Sequence, residues 1–488
     1  MFTRMDLAPN ALPRIGTHYS AERRGRHAPE LRYRHPYADS IARRMDQLPL
    51  TRLHLAVMAI CACGFTFDLL EVALGGGLSA VFSAAPHRLA ATELARLIAA
   101  VYVGAVIGAP LLGWLADQFG RKRVLMAALG WLAATSIALA LRDGVAWLTT
   151  TRLLTGLAIG AYPPLMIAYF TDVLPPRRRG ALILVVCAIS TLGMPAGLLL
   201  LRSLTHFQPL GIESWRWLFA MSGFGAACAG VMLRFIPESP RWLMGIGRTE
   251  AAETACRAFE HSKPIRNVAL AAAPAALPAE GRANPGAGPG VGWNRALLSR
   301  YRSQLILGGS LNLLSPWATV AFSILSGPAL IAKGVRLSDT FVYLALAAFG
   351  QLAGNVSAAS FVDHLERRTA IVLCASLMAL TILVFAASTT PIFMISSNIA
   401  FGVFSGMFVP ALSVYVAELF PTRIRSSATS AVWALNRIGS ALALLVLIPM
   451  LRGTDSILVF EFMAGTLIAS ISIIMIFGPA GLARRSVS

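Results

Sequence analysis

Twelve apolar stretches, each about as long as the roughly 20 residues that cross a bilayer as a helix, run through this 488-residue chain and fix its class. They fall near 54–83, 94–116, 124–142, 146–172, 180–203, 215–236, 303–331, 339–362, 369–389, 391–418, 426–451 and 455–478. The stretches are too long and continuous for barrel strands, which alternate. A helix pairs its own backbone groups, as the bilayer core demands. Hydrophobic residues make up 56% of the chain and charged ones 13%, against roughly 25% charged in a soluble domain. A water-soluble protein this apolar could not cover its own surface. The expectation is an all-α membrane protein of twelve transmembrane helices.

Basic residues orient such a chain. Of 42 Lys and Arg, 31 fall in the N-terminal tail, the loops after even-numbered spans and the C-terminal tail. The odd-numbered loops and bordering span ends hold 8, and Arg152, Arg234 and Arg437 lie within spans. Both termini are expected in the cytoplasm, and the formal charge of +19 is a topology signal, with no nucleic acid implied. No apolar run occurs in the first 30 residues, so no signal peptide is visible. The Arg-rich tail, 1–52, reads as unstructured, and Met45 stands just before the periodic sequence as an alternative start. Cys61, Cys63, Cys187, Cys228, Cys256 and Cys374 read as reduced packing residues. Short loops and high apolar content fit a bacterial inner membrane.

A shift of 246 residues aligns the chain with itself, without a gap, from about 101 to 180. Gly104 meets Gly350, Gly108 meets Gly354, Gly156 meets Gly402 and Gly160 meets Gly406. Asp117 meets Asp363, Arg121 meets Arg367, Asp172 meets Glu418, and Arg179 meets Arg425. Unrelated helices share leucines by chance, but not loop charges, prolines and glycines in one register. Two pseudo-symmetric six-helix bundles follow, 53–236 and 303–478, with a terminal tail 479–488. The joining loop, 237–302, begins with a charged part, Glu238 to Phe259, suited to short interfacial helices. Ala269 to Gly292 is an Ala/Pro/Gly linker. Bundles so joined can rock, which alternating access requires.

Three local motifs stand out. The loop after the second span runs Gly113-Trp-Leu-Ala-Asp-Gln-Phe-Gly-Arg-Lys-Arg123. Pro237-Glu-Ser-Pro-Arg-Trp-Leu243 follows the sixth span. Asp172…Arg179 and Glu418…Arg425 each place an arginine seven residues after a carboxylate, across a proline turn. Gly113, Leu115, Asp117, Gly120, Arg121 and Lys122 resemble the signature loop of the major facilitator superfamily. With the other two motifs the resemblance narrows to the sugar-porter and metabolite–proton symporter branch, over residues 53–480. It implies the major facilitator fold and a charge latch that forms and breaks with each cycle. The latch residues would be Gly113, Asp117, Gly120, Arg121, Lys122, Asp172, Arg179, Glu238, Arg241, Glu418 and Arg425.

A charge at a helix centre costs at least about 2.5–3.5 kcal/mol, so each one points to function. Asp68, Glu71 and Glu461 are the carboxylates well within spans. Asp68 and Glu71 share a helix face. Two carboxylates in a low-dielectric site cannot both ionise cheaply, which suits reversible proton uptake. Arg152 in the fourth span is expected to pair with Asp68, and the family resemblance agrees. Glu71 is either a second proton site or a substrate contact. Arg437, beside Asn436, either binds an anion with its planar fork or pairs with a carboxylate across the bundle. Asn312, Gln351, Asn355 and Asn398 are further polar candidates, and Trp317 and Tyr162 could stack on a ring. Gly75-Gly76-Gly77 would loosen the outer end of the first span.

The seventh span reads Leu311-Asn-Leu-Leu-Ser-Pro-Trp317 where sugar porters carry paired glutamines. The first reading is therefore proton-coupled symport of a small organic or aromatic acid by a protein acting as a monomer. A sugar–proton symporter, an efflux antiporter and a transporter-like sensor are the alternatives. No nucleotide loop, zinc cluster or nucleophile motif occurs, so no pump, enzyme, metal or cofactor is expected.

Overall fold

The computed structural model describes residues 36–176, 179–265, 300–361, 366–420, 425–453 and 456–479. The linker Ala269 to Gly292, Asp363, the Arg425 side chain and the tail after 479 lie outside the described residues.

Twelve helices long and apolar enough to cross a membrane form among the described residues. Spans 1 to 6 are Arg52–Val81, Ala91–Phe119, Arg121–Leu141, Val145–Val173, Arg179–Phe207 and Ser214–Phe235. Spans 7 to 12 are Arg302–Ala332, Leu337–Ala358, Arg367–Ala387, Pro391–Glu418, Ala428–Gly453 and Ser456–Phe477. Three breaks follow local chemistry. Span 4 loosens at Gly160 and Ala161 ahead of Pro163 and Pro164, span 5 breaks at Leu192 ahead of Pro195, and span 7 breaks at Ser315 ahead of Pro316. Proline lacks the donor a helix interior needs and fits the first turn of a new one. The face bearing the signature loop and the 237–265 segment is termed the basic face, and its opposite the far face.

The 246-residue repeat explains the tightest packing. Lipid tails are as apolar as leucine, so helices associate through close van der Waals fit at small residues. A methyl group on Gly104 would run into the Leu153 carbonyl and Gly156, and one on Gly160 into Ala105. In the second half Gly354 meets Val403 and Gly406 in the same way, and Gly402 meets Ala347 and Gln351. Spans 2 and 4, and again 8 and 10, thus cross backbone to backbone. The residues without a side chain are where the sequence repeats most strictly.

At the basic face the structure corrects the reading of the N-terminal tail. Pro36–Gln47 is a helix. It docks on the helix Thr249–Glu260, burying Ile41 and Met45 beside the loop helices. Arg44 closes the contact, donating to Glu253 at 2.7 Å and Glu260 at 2.8 Å. An Arg-rich stretch looks unstructured alone; its acidic partner lies over 200 residues away in the chain. Nearby, His54 is wholly buried, its Nδ1 accepting from Thr51 N (3.1 Å) and its Nε2–H donating to Val173 O (3.0 Å). It ties the start of span 1 to the end of span 4.

The docked helix should respond to acid. Hydrogen bonds from Arg44 hold the Glu253 and Glu260 carboxylates below their ordinary range. Groups depressed on docking stabilise it fully above the ordinary carboxylate range, near pH 4, and lose that contribution as pH falls through the lowered values. We expect amide exchange over 36–47, corrected for its intrinsic pH dependence, to be slow at neutral pH and faster in acid. Arg44→Ala should exchange fast at both. Identical protection of the two proteins at neutral pH would show that these charges do not dock the helix.

Cys61, Cys256 and Cys374 are buried as expected of packing residues, but Cys228 is exposed on span 6. No cluster of three or more metal-ligating side chains occurs among the described residues.

Candidate functional site

The helices bring the membrane-embedded charges together in an unexpected pairing. Arg152 Nη1 reaches Glu71 Oε2 at 3.1 Å, and both side chains are almost wholly buried. The expected partner, Asp68, makes no ion pair among the described residues. Both acids lie on one face of span 1, and the approach of span 4 selects the one nearer the far face. Glu71 is then saturated: its Oε1 accepts from Ser136 at 2.5 Å and Ser222 at 3.0 Å. Arg152 Nη2 also reaches the Glu71 carbonyl at 3.4 Å, while its guanidinium lies 5.7 Å from the Phe219 ring centre. Spans 1, 3, 4 and 6 are joined by this one cluster, all within the first half.

Asp68 stands in a different environment. It is 2% exposed, and its Oδ1 is buried with no hydrogen-bond partner. The cation that bears on it is Arg437, from span 11 of the other half. Arg437 is half-buried, its guanidinium lies 5.4 Å from the Trp433 ring centre, and its Nε is unpartnered. Tyr102, buried on span 2, lies in electrostatic reach of both Arg437 and Arg152. Glu71 is therefore satisfied inside a half, although the Nε of Arg152 is itself unpartnered. Asp68 has no ion-pair partner among the described residues, and the cation in its electrostatic reach belongs to the opposite half.

The remaining candidates separate by whether their polar atoms are free. Asn312 donates to Gly308 O of its own helix (3.1 Å), and Tyr162 donates to Cys61 O (3.1 Å). Trp317 packs on Phe462, ring centres 5.6 Å apart. Each of these three therefore has a partner within the protein. Gln351, Asn355 and Asn436 are half-buried, and the Nδ2 of buried Asn398 is unpartnered. Glu461 is exposed on span 12, away from this site.

At the basic face the motif residues interlock. Asp172 accepts from Arg121 and, at 2.6 Å, from Ser239. Glu238 accepts from the Lys122 amide at 3.0 Å and so sits on the N-terminus of span 3, where unpaired amides and the helix dipole attract an anion. Gly120 has φ +107°, and a side chain there would strike Glu238. Gly113 faces open space, so no close approach requires that glycine. The exposed Asp117 contributes its carbonyl, which accepts from Trp242 Nε1 at 3.0 Å. Arg241 pairs with Asp46 at 2.5 Å, and Arg179 stands 3.9 Å from the same carboxylate. In the second half Arg367 pairs with Glu418 at 3.6 Å. All these contacts stay on one half.

Sequence reasoning missed Ser136, Ser222, Tyr102, Ser239, Trp242 and Asp46. Ser239 and Trp242 lie inside a recognised motif and could have been read from it. Ser136 and Ser222 are single hydroxyls in apolar helices, without a local signal.

A family model described as sugar (and other) transporter matches residues 54–485. The niacin transporter of Acinetobacter baylyi is 24% identical over 443 residues, covering 89% of this chain and 96% of the relative. An inner membrane metabolite transport protein of Escherichia coli is 25% identical, covering 90% and 96%. A partially occluded inward open structure of the E. coli xylose transporter superposes with TM-score 0.68 at 17% identity, covering 87% of this chain and 98% of that one.

Proposed function

Because the chain belongs to the sugar (and other) transporter family, of the major facilitator type and not enzymes, we propose that it moves a small organic acid together with protons by alternating access. The observation that carries this is the contrast between its two buried acids, Glu71 and Asp68. Glu71 and Arg152 are held by each other and by Ser136 and Ser222 inside one half, and their role is to hold spans 1, 3, 4 and 6 as one body. Asp68 and Arg437, from opposite halves and within electrostatic reach of each other, keep hydrogen-bonding capacity unspent. An unsatisfied buried polar atom costs about 1–3 kcal/mol, more if charged. A proton on Asp68 and a substrate carboxylate on Arg437 each relieve that deficit. Protonation of Asp68 also releases Arg437 to take the substrate.

The positive-inside bias puts the basic face, and with it the termini, in the cytoplasm of a bacterial inner membrane. The halves meet at the far face and at mid-depth, and the pairs Arg121–Asp172, Arg241–Asp46 and Arg367–Glu418 each lie within one half. Contact at the far face is in keeping with a form open toward the cytoplasm. The individual weakness of exposed ion pairs, about 0–1 kcal/mol, suits a latch remade in every cycle. The niacin-transporting relative is in keeping with an aromatic carboxylate as cargo.

Reconstituted vesicles with a pH gradient test the substrate class directly, screened across carboxylates, sugars and organic cations. A charge-assisted hydrogen bond contributes about 1.5–3 kcal/mol. Arg437→Ala should therefore raise KM for a carboxylate roughly ten- to a hundredfold, and Arg437→Lys less. Transport of neutral sugars alone, indifferent to Arg437, would overturn the acid reading and leave a sugar–proton symporter.

A further inference from the structure

Three cations cap helix C-termini at the far face, where unpaired carbonyls and the helix dipole attract positive charge. Lys333, after span 7, donates to the carbonyls of Phe385, Ala386 and Ser388 at 2.9, 2.9 and 2.7 Å, closing the end of span 9. Arg216, on span 6, donates to Ala140 O at 3.1 Å at the end of span 3. Both act within their own half. The third is Arg452, in the last turn of span 11. It donates to Leu89 O, to Phe82 O at 3.3 Å and to Ser83 Oγ at 3.2 Å. Phe82 caps the end of span 1. Arg452 thus crosses from the second half to the first.

The seam beneath it holds little else that is polar and paired. A methyl on Gly76 would stand 3.3 Å from the Ser323 carbonyl, and one on Gly327 3.3 Å from Ala80 Cβ. Ser79 and Ser326 are fully buried with unpartnered hydroxyls, which water would satisfy if the seam opened. Leu198 packs on Leu344 and Ala345 nearby. Among the described residues, no ion pair spans the seam.

We propose that Arg452 is the far-face clamp: its hydrogen bonds to the 82–89 turn position the end of span 1 against span 7 and set how often this face opens. The inference rests on the alternating-access reading. It concerns a positioning residue, since Arg452 stands in the last turn of span 11, about four helical turns from Arg437.

A reporter thiol in the seam tests it. The full chain carrying Ser326→Cys, in lipid nanodiscs, is reacted with a hydrophilic maleimide, and modification at position 326 is followed by peptide mass spectrometry. Adding Arg452→Ala should raise the labelling rate tenfold or more. Arg452→Lys should stay within about threefold of the parent. Lys333→Ala and Arg216→Ala should leave the rate unchanged even where they lower the melting temperature. Should Arg452→Ala fail to fold, Arg452→Gln must still raise the rate. A parental rate in the folded Arg452 variants overturns the clamp. The labelling needs no substrate, so it is separable from transport: vesicles that move no solute would instead sink the transport reading.

Discussion

Asp68→Asn is expected to bring pH-gradient-driven accumulation to the equilibrium ratio while substrate still exchanges for substrate across the membrane. Asparagine keeps the shape and removes the titratable group. Asp68 is a membrane-embedded acid with an empty hydrogen-bonding position, within electrostatic reach of Arg437 of the opposite half. Glu71 is spoken for by two hydroxyls and a guanidinium. Uptake with and without a pH gradient, set beside counterflow in the same vesicles, separates the two quantities. Normal accumulation by the variant would remove Asp68 from the coupling mechanism. Loss of both accumulation and exchange in a folded variant would make it a general transport residue, not a proton carrier.

The second large effect is on stability. Arg152→Ala leaves Glu71 charged and enclosed, and removing one partner of a buried pair costs about 3–5 kcal/mol. Such a loss is a large share of the whole stability of a typical domain, about 5–15 kcal/mol. The variant should lose most of its monodisperse yield in detergent and melt well below the parent. Removing both charges should restore much of it: Glu71→Gln with Arg152→Met keeps volume and leaves Ser136 and Ser222 a carbonyl to donate to. Thermal unfolding followed by size-exclusion chromatography reads both. A single variant as stable as the parent would mean the cluster does not hold the bundle together.

The frame was legible from residues with strong local meaning. Apolar runs fixed the spans, and the glycines of the 246-residue repeat marked the helix crossings. Asp172, Glu238 and Gly120 stand in motifs whose spacing brings them together. What escaped depended on rotation and distance. Asp68 and Glu71 are three residues apart on one face, so sequence alone could not choose the one Arg152 meets. Arg437 was left between anion binding and a partner across the bundle, and the structure puts it within electrostatic reach of Asp68 and Tyr102 without an ion pair among the described residues. Arg44 belonged to a tail that looks unstructured until Glu253 and Glu260 come beside it. Arg452 counted only toward topology, because its acceptors are backbone carbonyls, which no side-chain pattern advertises.

The paired crossings of spans 2 and 4 and of spans 8 and 10 also bear on how such a chain can diversify. One turn before Gly156 stands Arg152, and one turn before Gly402 stands Asn398. Geometry and chemistry are thus separable within a single helical turn. The glycine cannot take a side chain without prising two backbones apart, while the position one turn earlier holds a charge in one half and a neutral amide in the other. A lineage built this way can therefore change the polar residues along its helices with no new fold to invent.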